Sequence, residues 1–184
     1  MGAIKAFQRA FEAGSRDAAL LVKAAYGDAD DRSLQELRET IAGWPNISVM
    51  TRHLTDAETL QLIAGADCLV SLHRSEGFGL PIAEAMTVGT PAVITGWSAP
   101  AEFAGGAAIE IGYDLVPVSD ATGRYPGGSG LSWADAKLDH AAREMQALVA
   151  EPERWHALSR AGPAVAHERL CVPIPAADYR RFLG

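Results

Sequence analysis

Short apolar runs alternate with amphipathic segments along most of this chain. Apolar residues recur at the spacing of a helix face in several segments, which predicts helices over residues 3–13, 33–42, 56–65, 137–150 and 152–169. Apolar runs of strand length occupy residues 18–25, 47–51, 68–72, 92–95 and 107–111, and residues 115–118 are predicted to be a further short extended piece. Strands that alternate with helices form parallel βαβ units, so the pattern predicts an α/β fold.

The chain is organised around residues 67–95, which read as a strand, a glycine-bearing loop, a short helix and a second strand. The loop covers residues 73–80. Pro81 suits the first helical position, because an amide hydrogen there has no partner within the helix. Gly89 suits the left-handed position just past the helix end. This stretch therefore brings a loop and a helix start to the end of a predicted strand.

The start of this short helix suggests an anion site. Leu80 stands where a Ser, Thr, Asp or Asn side chain would cap the helix, so backbone amides there stay open. Gly77 and Gly79 allow a ligand to approach the backbone closely. Open amides at the positive end of a helix dipole attract anions, and a diphosphate is the usual one.

A pair of carboxylates flanks these amides. Glu76 precedes the helix and Glu84 lies one turn inside it, so the two can reach opposite ends of a ligand across the loop. Carboxylates accept hydrogen bonds from hydroxyls, which makes a sugar or a ribose a natural partner. Two plainer explanations stay open: the Gly-X-Gly loop only turns the chain, and Glu84 is a solvated helix residue.

The complete motif is more specific than its parts. Residues 76–81 read EGFGLP, residues 84–86 read EAM, and residues 89–91 read Gly-Thr-Pro. This set resembles the E-x7-E signature of the retaining glycosyltransferases of family 4, the "group 1" transferases with the GT-B fold, and the resemblance extends over most of residues 4–170. It implies a Rossmann-like three-layer domain with a mostly parallel sheet, the C-terminal, donor-binding half of a GT-B enzyme.

The resemblance also implies the chemistry, which is transfer of a sugar from a UDP- or GDP-sugar with retention at the anomeric carbon. Glu76 would be the catalytic residue that holds hydroxyls of the donor sugar, and Glu84 would bind the ribose hydroxyls. Amides of the turn from residue 77 to residue 82 would hold the diphosphate, and the loop residues assigned to nucleotide binding are Gly77, Phe78, Gly79 and Leu80. No cofactor and no metal are implied, and the histidines of the sequence are scattered.

Three further residues are candidates for nucleotide binding. Arg52 and His53 follow a predicted strand, where ligands of open α/β sheets gather, and the family's equivalent loop lies beside the nucleotide base. They are equally explained as surface residues before a helix that Thr55 and Glu58 start with a capping box. Arg74 lies next to the motif and either neutralises a phosphate or pairs with a nearby acid.

The predicted organisation is a domain over residues 1–170 and an irregular tail over residues 171–184, with a glycine-rich loop at residues 119–130. The family has a further strand before the first helix, central in its sheet, and an N-terminal domain that holds the acceptor. No early segment here matches that strand. We therefore expect a fragment whose sheet is closed by its neighbours or by another chain, such as a second copy.

Composition narrows the class of protein. A net charge of −7 argues against nucleic acid, no apolar run has the length of a membrane span, and no signal-peptide core is present. Two cysteines without metal-ligand spacing fit reduced thiols in a cytoplasmic protein. Besides a transferase domain, the alternatives are a stand-alone nucleotide-sugar-binding module without catalysis and, more remotely, a non-enzymatic α/β interaction domain.

Overall fold

A computed structural model describes residues 1–24, 32–119 and 130–171, which contain alternating helices and strands. The helices are α1 Gly2–Ala10, α2 Arg32–Thr40, α3 Asp56–Ala64, α4 Leu80–Val88, α5 Ser98–Ala104, α6 Leu138–Ala150 and α7 Pro152–Leu170. The strands are β1 Leu20–Lys23, β2 Ile47–Met50, β3 Leu69–Ser71, β4 Ala92–Thr95, β5 Ile109–Ile111, β6 Tyr113–Pro117 and β7 Ser132–Ala136. Residues 120–129 of the predicted loop and residues 172–184 of the predicted tail lie outside the described residues.

The central sheet consists of β3, β4 and β5 in parallel order. Val70 lies opposite Val93 in β4, and Val93 lies opposite Ile109 in β5. Every residue of β4 is buried, as expected for the middle strand of a sheet that is covered on both faces. The predicted α/β class with mostly parallel pairing is confirmed.

A second parallel sheet contains β1 and β2, with Leu20 opposite Ile47. Among the described residues no strand joins β1 to β3, although Val22 and Val70 pack into the same hydrophobic core. Both strands are only partly buried, and Leu21 is 41% exposed. The parallel pairing is thus interrupted between β1 and β3, where the family resemblance predicted a gap. The described neighbouring strands do not close this gap.

β6 and β7 form an antiparallel hairpin outside both parallel sheets. The sequence predicted an extended piece at residues 115–118, and β6 covers it in part. It did not predict β7, because the segment around Trp133 has no apolar run and its pairing with Val116 is not visible in a local pattern. The hairpin is therefore an addition to the predicted architecture.

Helices cover both faces of the central sheet. On one face α1 and α6 pack on a core that includes Phe7 and Met145. On the other face α4, α5 and α7 enclose a second core around Met86. Gly162 of α7 lies so close to α4 that a Cβ atom there would be 2.9 Å from the Met86 carbonyl oxygen. This close approach anchors α4, whose first turn borders the candidate site.

The predicted capping box at the start of α3 is confirmed. The Thr55 hydroxyl accepts a hydrogen bond from the Glu58 amide, and the Glu58 carboxylate accepts one from the Thr55 amide. The Arg52 guanidinium adds an ion pair of 2.7 Å to Glu58. The hydrogen bonds from the Thr55 amide, from Arg52 and from the Thr55 hydroxyl lower the pKa of Glu58 to about 2.

We expect the Glu58→Gln variant to be less heat-stable than the wild type at pH 7. Glutamine is uncharged, so the variant lacks the negative charge that Thr55 and Arg52 stabilise in the wild type. The carboxylate contributes stability above its unfolded pKa of about 4.5, and this contribution disappears as the pH falls towards the folded pKa of about 2. The difference in melting temperature should therefore narrow between these two values. The exposed Glu12→Gln variant serves as the control, and a difference that is constant with pH would contradict the assignment.

Candidate functional site

The candidate site is built at the start of α4. Gly79 is the N-cap residue, with φ +88°, and no side chain caps the helix. The helix begins at Leu80, one residue before the predicted start, and Pro81 is its second residue. An uncapped start leaves backbone donors without intrahelical acceptors, as the sequence predicted.

Fewer amides are open than the predicted turn from residue 77 to residue 82 implied. The Gly77 amide donates to Oε1 of Glu76 at 3.1 Å, and the Ile82 amide donates to the Gly79 carbonyl at 2.9 Å. Pro81 has no amide hydrogen. Within the turn from residue 77 to residue 82, the amides of Phe78, Gly79 and Leu80 meet no acceptor among the described residues.

The two glutamates flank these amides along the chain. Glu84 is half-buried on α4, four residues after Leu80 and therefore on the same helix face, and its carboxylate has no partner among the described residues. Glu76 is also half-buried, and its carboxylate contacts only the Gly77 amide within the described part of the chain. Both groups retain capacity to accept hydrogen bonds from a ligand.

Residues 95–98 hold the loop before α4 through contacts that sequence reasoning missed. The Ser98 hydroxyl donates to the Glu76 carbonyl at 3.0 Å, and Nε2 of His73 contacts the Trp97 carbonyl at 3.0 Å. The Thr95 hydroxyl donates to the His73 carbonyl at 2.7 Å. These contacts join residues more than twenty positions apart, so no local pattern could have predicted them.

Arg74 takes the second of the two roles that the sequence left open. Its guanidinium pairs with Asp135 of β7 at 2.7 Å and lies over the Trp133 ring, 5.6 Å from the ring centre. Its carbonyl accepts a hydrogen bond of 2.9 Å from the Ala134 amide. Arg74 thus fastens the β6–β7 hairpin to the loop that carries Glu76, and it contacts an acid rather than an open anion site.

Arg52 and His53 occupy the exposed loop that follows β2, whereas both glutamates follow β3 in the other parallel sheet. The Arg52 guanidinium is paired with Glu58. Assignment of this pair to the nucleotide base remains a prediction from the family resemblance.

Other chemistries have less support in the described residues. No group of His, Cys, Asp and Glu side chains among them is arranged to hold a metal ion. Burial raises the pKa of the Cys68 thiol to about 12, so this group is protonated and a poor nucleophile at neutral pH. In the part of the chain that the structure describes, no helix is long and apolar enough to span a membrane.

An uncapped helix start that follows a parallel strand is the arrangement by which many α/β domains bind phosphate groups. Residues 3–123 match the family described as "Glycosyl transferases group 1". The chain is a member of this family. It is also 41% identical, over 63 residues, to a candidate glycosyltransferase, number 48, of the Sulfolobus islandicus filamentous virus. That match covers 34% of this chain and 20% of the viral protein.

Solved structures share the fold at low sequence identity. The N-terminal domain of trehalose-6-phosphate phosphatase from Candida albicans has a TM-score of 0.65 at 9% identity, over 91% of this chain and 35% of that one. Anabaena HepE, solved with UDP-glucose, has a TM-score of 0.57 at 17% identity, over 90% of this chain and 39% of that one. The pneumococcal O-GlcNAc transferase GtfA, solved with UDP and GlcNAc, has a TM-score of 0.57 at 17% identity, over 91% and 29%. The chain spans little more than a third of these proteins at most.

Proposed function

We propose that this chain is the donor-binding domain of a retaining glycosyltransferase that uses a nucleoside diphosphate sugar. The observation that carries the proposal is the uncapped start of α4, where the amides of Phe78, Gly79 and Leu80 meet no acceptor among the described residues and Glu76 and Glu84 flank them along the chain. A diphosphate fits the amides and the helix dipole, while hydroxyls at its two ends fit the carboxylates.

The site would act on the leaving group. When the bond between the anomeric carbon and the diphosphate oxygen breaks, the electron pair moves onto the diphosphate. Preorganised amides at a helix start stabilise that charge more in the transition state than in the ground state. The acceptor hydroxyl then bonds to the anomeric carbon and passes its proton to an oxygen of the departing diphosphate, with the configuration retained.

Glu76 would hold hydroxyls of the transferred sugar, and Glu84 would hold the ribose hydroxyls. Arg52 and His53 remain candidates for contacts with the base. The acceptor would be held by a further domain or by a partner chain, which would also complete the divided sheet. The two free cysteines are consistent with a cytoplasmic location.

Calorimetric titration of the chain with UDP, GDP and their glucose derivatives tests the proposal. We expect one nucleotide series to bind and Glu84→Ala to weaken that binding about tenfold or more, because a carboxylate that accepts ribose hydroxyls is lost. Glu153→Ala removes an acid from the first turn of α7 and should leave the affinity unchanged. Absence of nucleotide binding by the wild type would refute the proposal.

Turnover distinguishes the transferase from the stand-alone binding module that the sequence also allowed. The transferase is expected to release the nucleoside diphosphate when an acceptor and its acceptor-binding domain are supplied, and proton NMR of the product would give the anomeric configuration. Binding without release under those conditions would favour the module, and inversion would exclude the retaining mechanism.

A further inference from the structure

The turn at the start of α5 supports the loop that carries Glu76. We call residues 73–79 the donor loop and residues 96–98 the α5 turn. The donor loop receives a hydrogen bond from Ser98, and its His73 ring contacts the Trp97 carbonyl. Gly79 of the donor loop lies close to Pro100 of α5, since a Cβ atom added to Gly79 would be 2.9 Å from the Pro100 ring. The donor loop is therefore in contact with the start of α5 at three of its residues, His73, Glu76 and Gly79.

The polarity of the His73 contact is set by its partner. A carbonyl oxygen can only accept, so Nε2 of His73 carries the hydrogen in this 3.0 Å contact with Trp97. The Thr95 hydroxyl holds the His73 carbonyl from the end of β4. The beginning of the donor loop is thus fixed to the central sheet before the chain reaches Glu76.

Ser98 is the strained member of this arrangement. With φ +59° it is the only residue other than glycine with a positive φ among the described residues. The left-handed region is unfavourable for a residue with a Cβ atom, and such strain persists only where the surroundings impose it. Here the half-buried Ser98 directs its hydroxyl to the Glu76 carbonyl at 3.0 Å.

We propose that Ser98 is a positioning residue that sets Glu76 for the sugar half of the donor. The inference rests on the proposed function, in which Glu76 contacts the sugar. Ser98 acts on the backbone of Glu76 itself. The diphosphate-facing amides have further supports besides Ser98, because Gly79 packs on Pro100 and Leu80 begins α4. Removal of the Ser98 hydroxyl therefore changes recognition of the sugar more than recognition of the diphosphate.

The test compares dissociation constants for UDP and UDP-glucose, or for the GDP pair if the wild type binds that series. We expect Ser98→Ala to raise the constant for the nucleotide sugar about three- to tenfold, the effect of one hydrogen bond, and to leave that for the free nucleotide within about twofold. Ser98→Gly should change the two dissociation constants in the same way as Ser98→Ala. Because glycine adopts a positive φ without strain, this variant should not have a lower melting temperature than the wild type.

Thr87→Ala is the matched control. Its hydroxyl also donates to a backbone carbonyl, that of Ala83 at 2.8 Å, but it lies at the far end of α4. It should change neither constant. Equal weakening of both ligands by Ser98→Ala, or no change in either, would overturn the role of Ser98 while the proposed function stands. A wild type that binds no nucleotide would instead refute the proposed function, and the role of Ser98 with it.

Discussion

Replacement of Gly79 by alanine is expected to destabilise the chain by about 2 to 4 kcal/mol. The new methyl group would meet the Pro100 ring at 2.9 Å and the Ile82 side chain at 3.2 Å, and the residue would have to keep φ +88°. Pro100 is fully buried, so its ring has no space to move away. Strain and overpacking therefore act together at this position.

The same substitution should weaken binding of the nucleotide more than tenfold, because Gly79 carries one of the three amides that the proposed function assigns to the diphosphate. Urea unfolding measures the first effect and calorimetric titration the second. Gly77→Ala is the control for folding, since a Cβ atom there meets nothing within 4 Å and its φ is not positive. If the Gly79→Ala variant unfolded at the same urea concentration as Gly77→Ala, the loop geometry described above would be wrong.

Replacement of Gly162 by leucine should lower the free energy of unfolding by about 2 to 3 kcal/mol. Two effects oppose each other here. Leucine favours a helix over glycine by about 1 kcal/mol, but its Cβ atom would lie 2.9 Å from the Met86 carbonyl oxygen and 3.3 Å from the Met86 Cα atom. These atoms belong to the α4 backbone, which cannot rotate away as a side chain could. The steric term should therefore exceed the gain in propensity.

Denaturant unfolding of the Gly162→Leu variant shows which effect is larger, the steric clash with Met86 or the gain in helix propensity. Ala157→Leu adds a side chain of the same size at an exposed position of the same helix and should unfold like the wild type. A Gly162→Leu variant that was more stable than the wild type would show that propensity dominates and that α4 and α7 do not pack as closely as described.

Local patterns predicted the elements that depend on neighbouring residues. The order of helices and strands follows from apolar spacing, and the capping box follows from Thr55 and Glu58, which lie three positions apart. The absence of a side-chain cap on α4 could also be predicted from the sequence, because glycine and leucine occupy the start of this helix. These features require no knowledge of what lies opposite in the fold.

Features that depend on distant partners were not predictable in the same way. The strained backbone of Ser98 has no local signature, and its partner Glu76 is 22 positions away. Arg74 could not be assigned to phosphate or acid until Asp135 was placed beside it by the hairpin. The number of open amides was overestimated because the Glu76 side chain folds back on the Gly77 amide, a choice of rotamer that sequence does not determine.

The division between the two parallel sheets has a consequence for cooperativity. A continuous ladder of backbone hydrogen bonds would join β1 to β3 directly. Among the described residues no such ladder is present, and the two units instead share a hydrophobic core against which side chains such as Val22 and Val70 pack. Such a seam allows local opening at a lower free energy than global unfolding. The unit of β1 and β2 can therefore lose its amide protection against deuterium while the unit around β4 keeps it, and a strand inserted at the seam would merge both into one foldon.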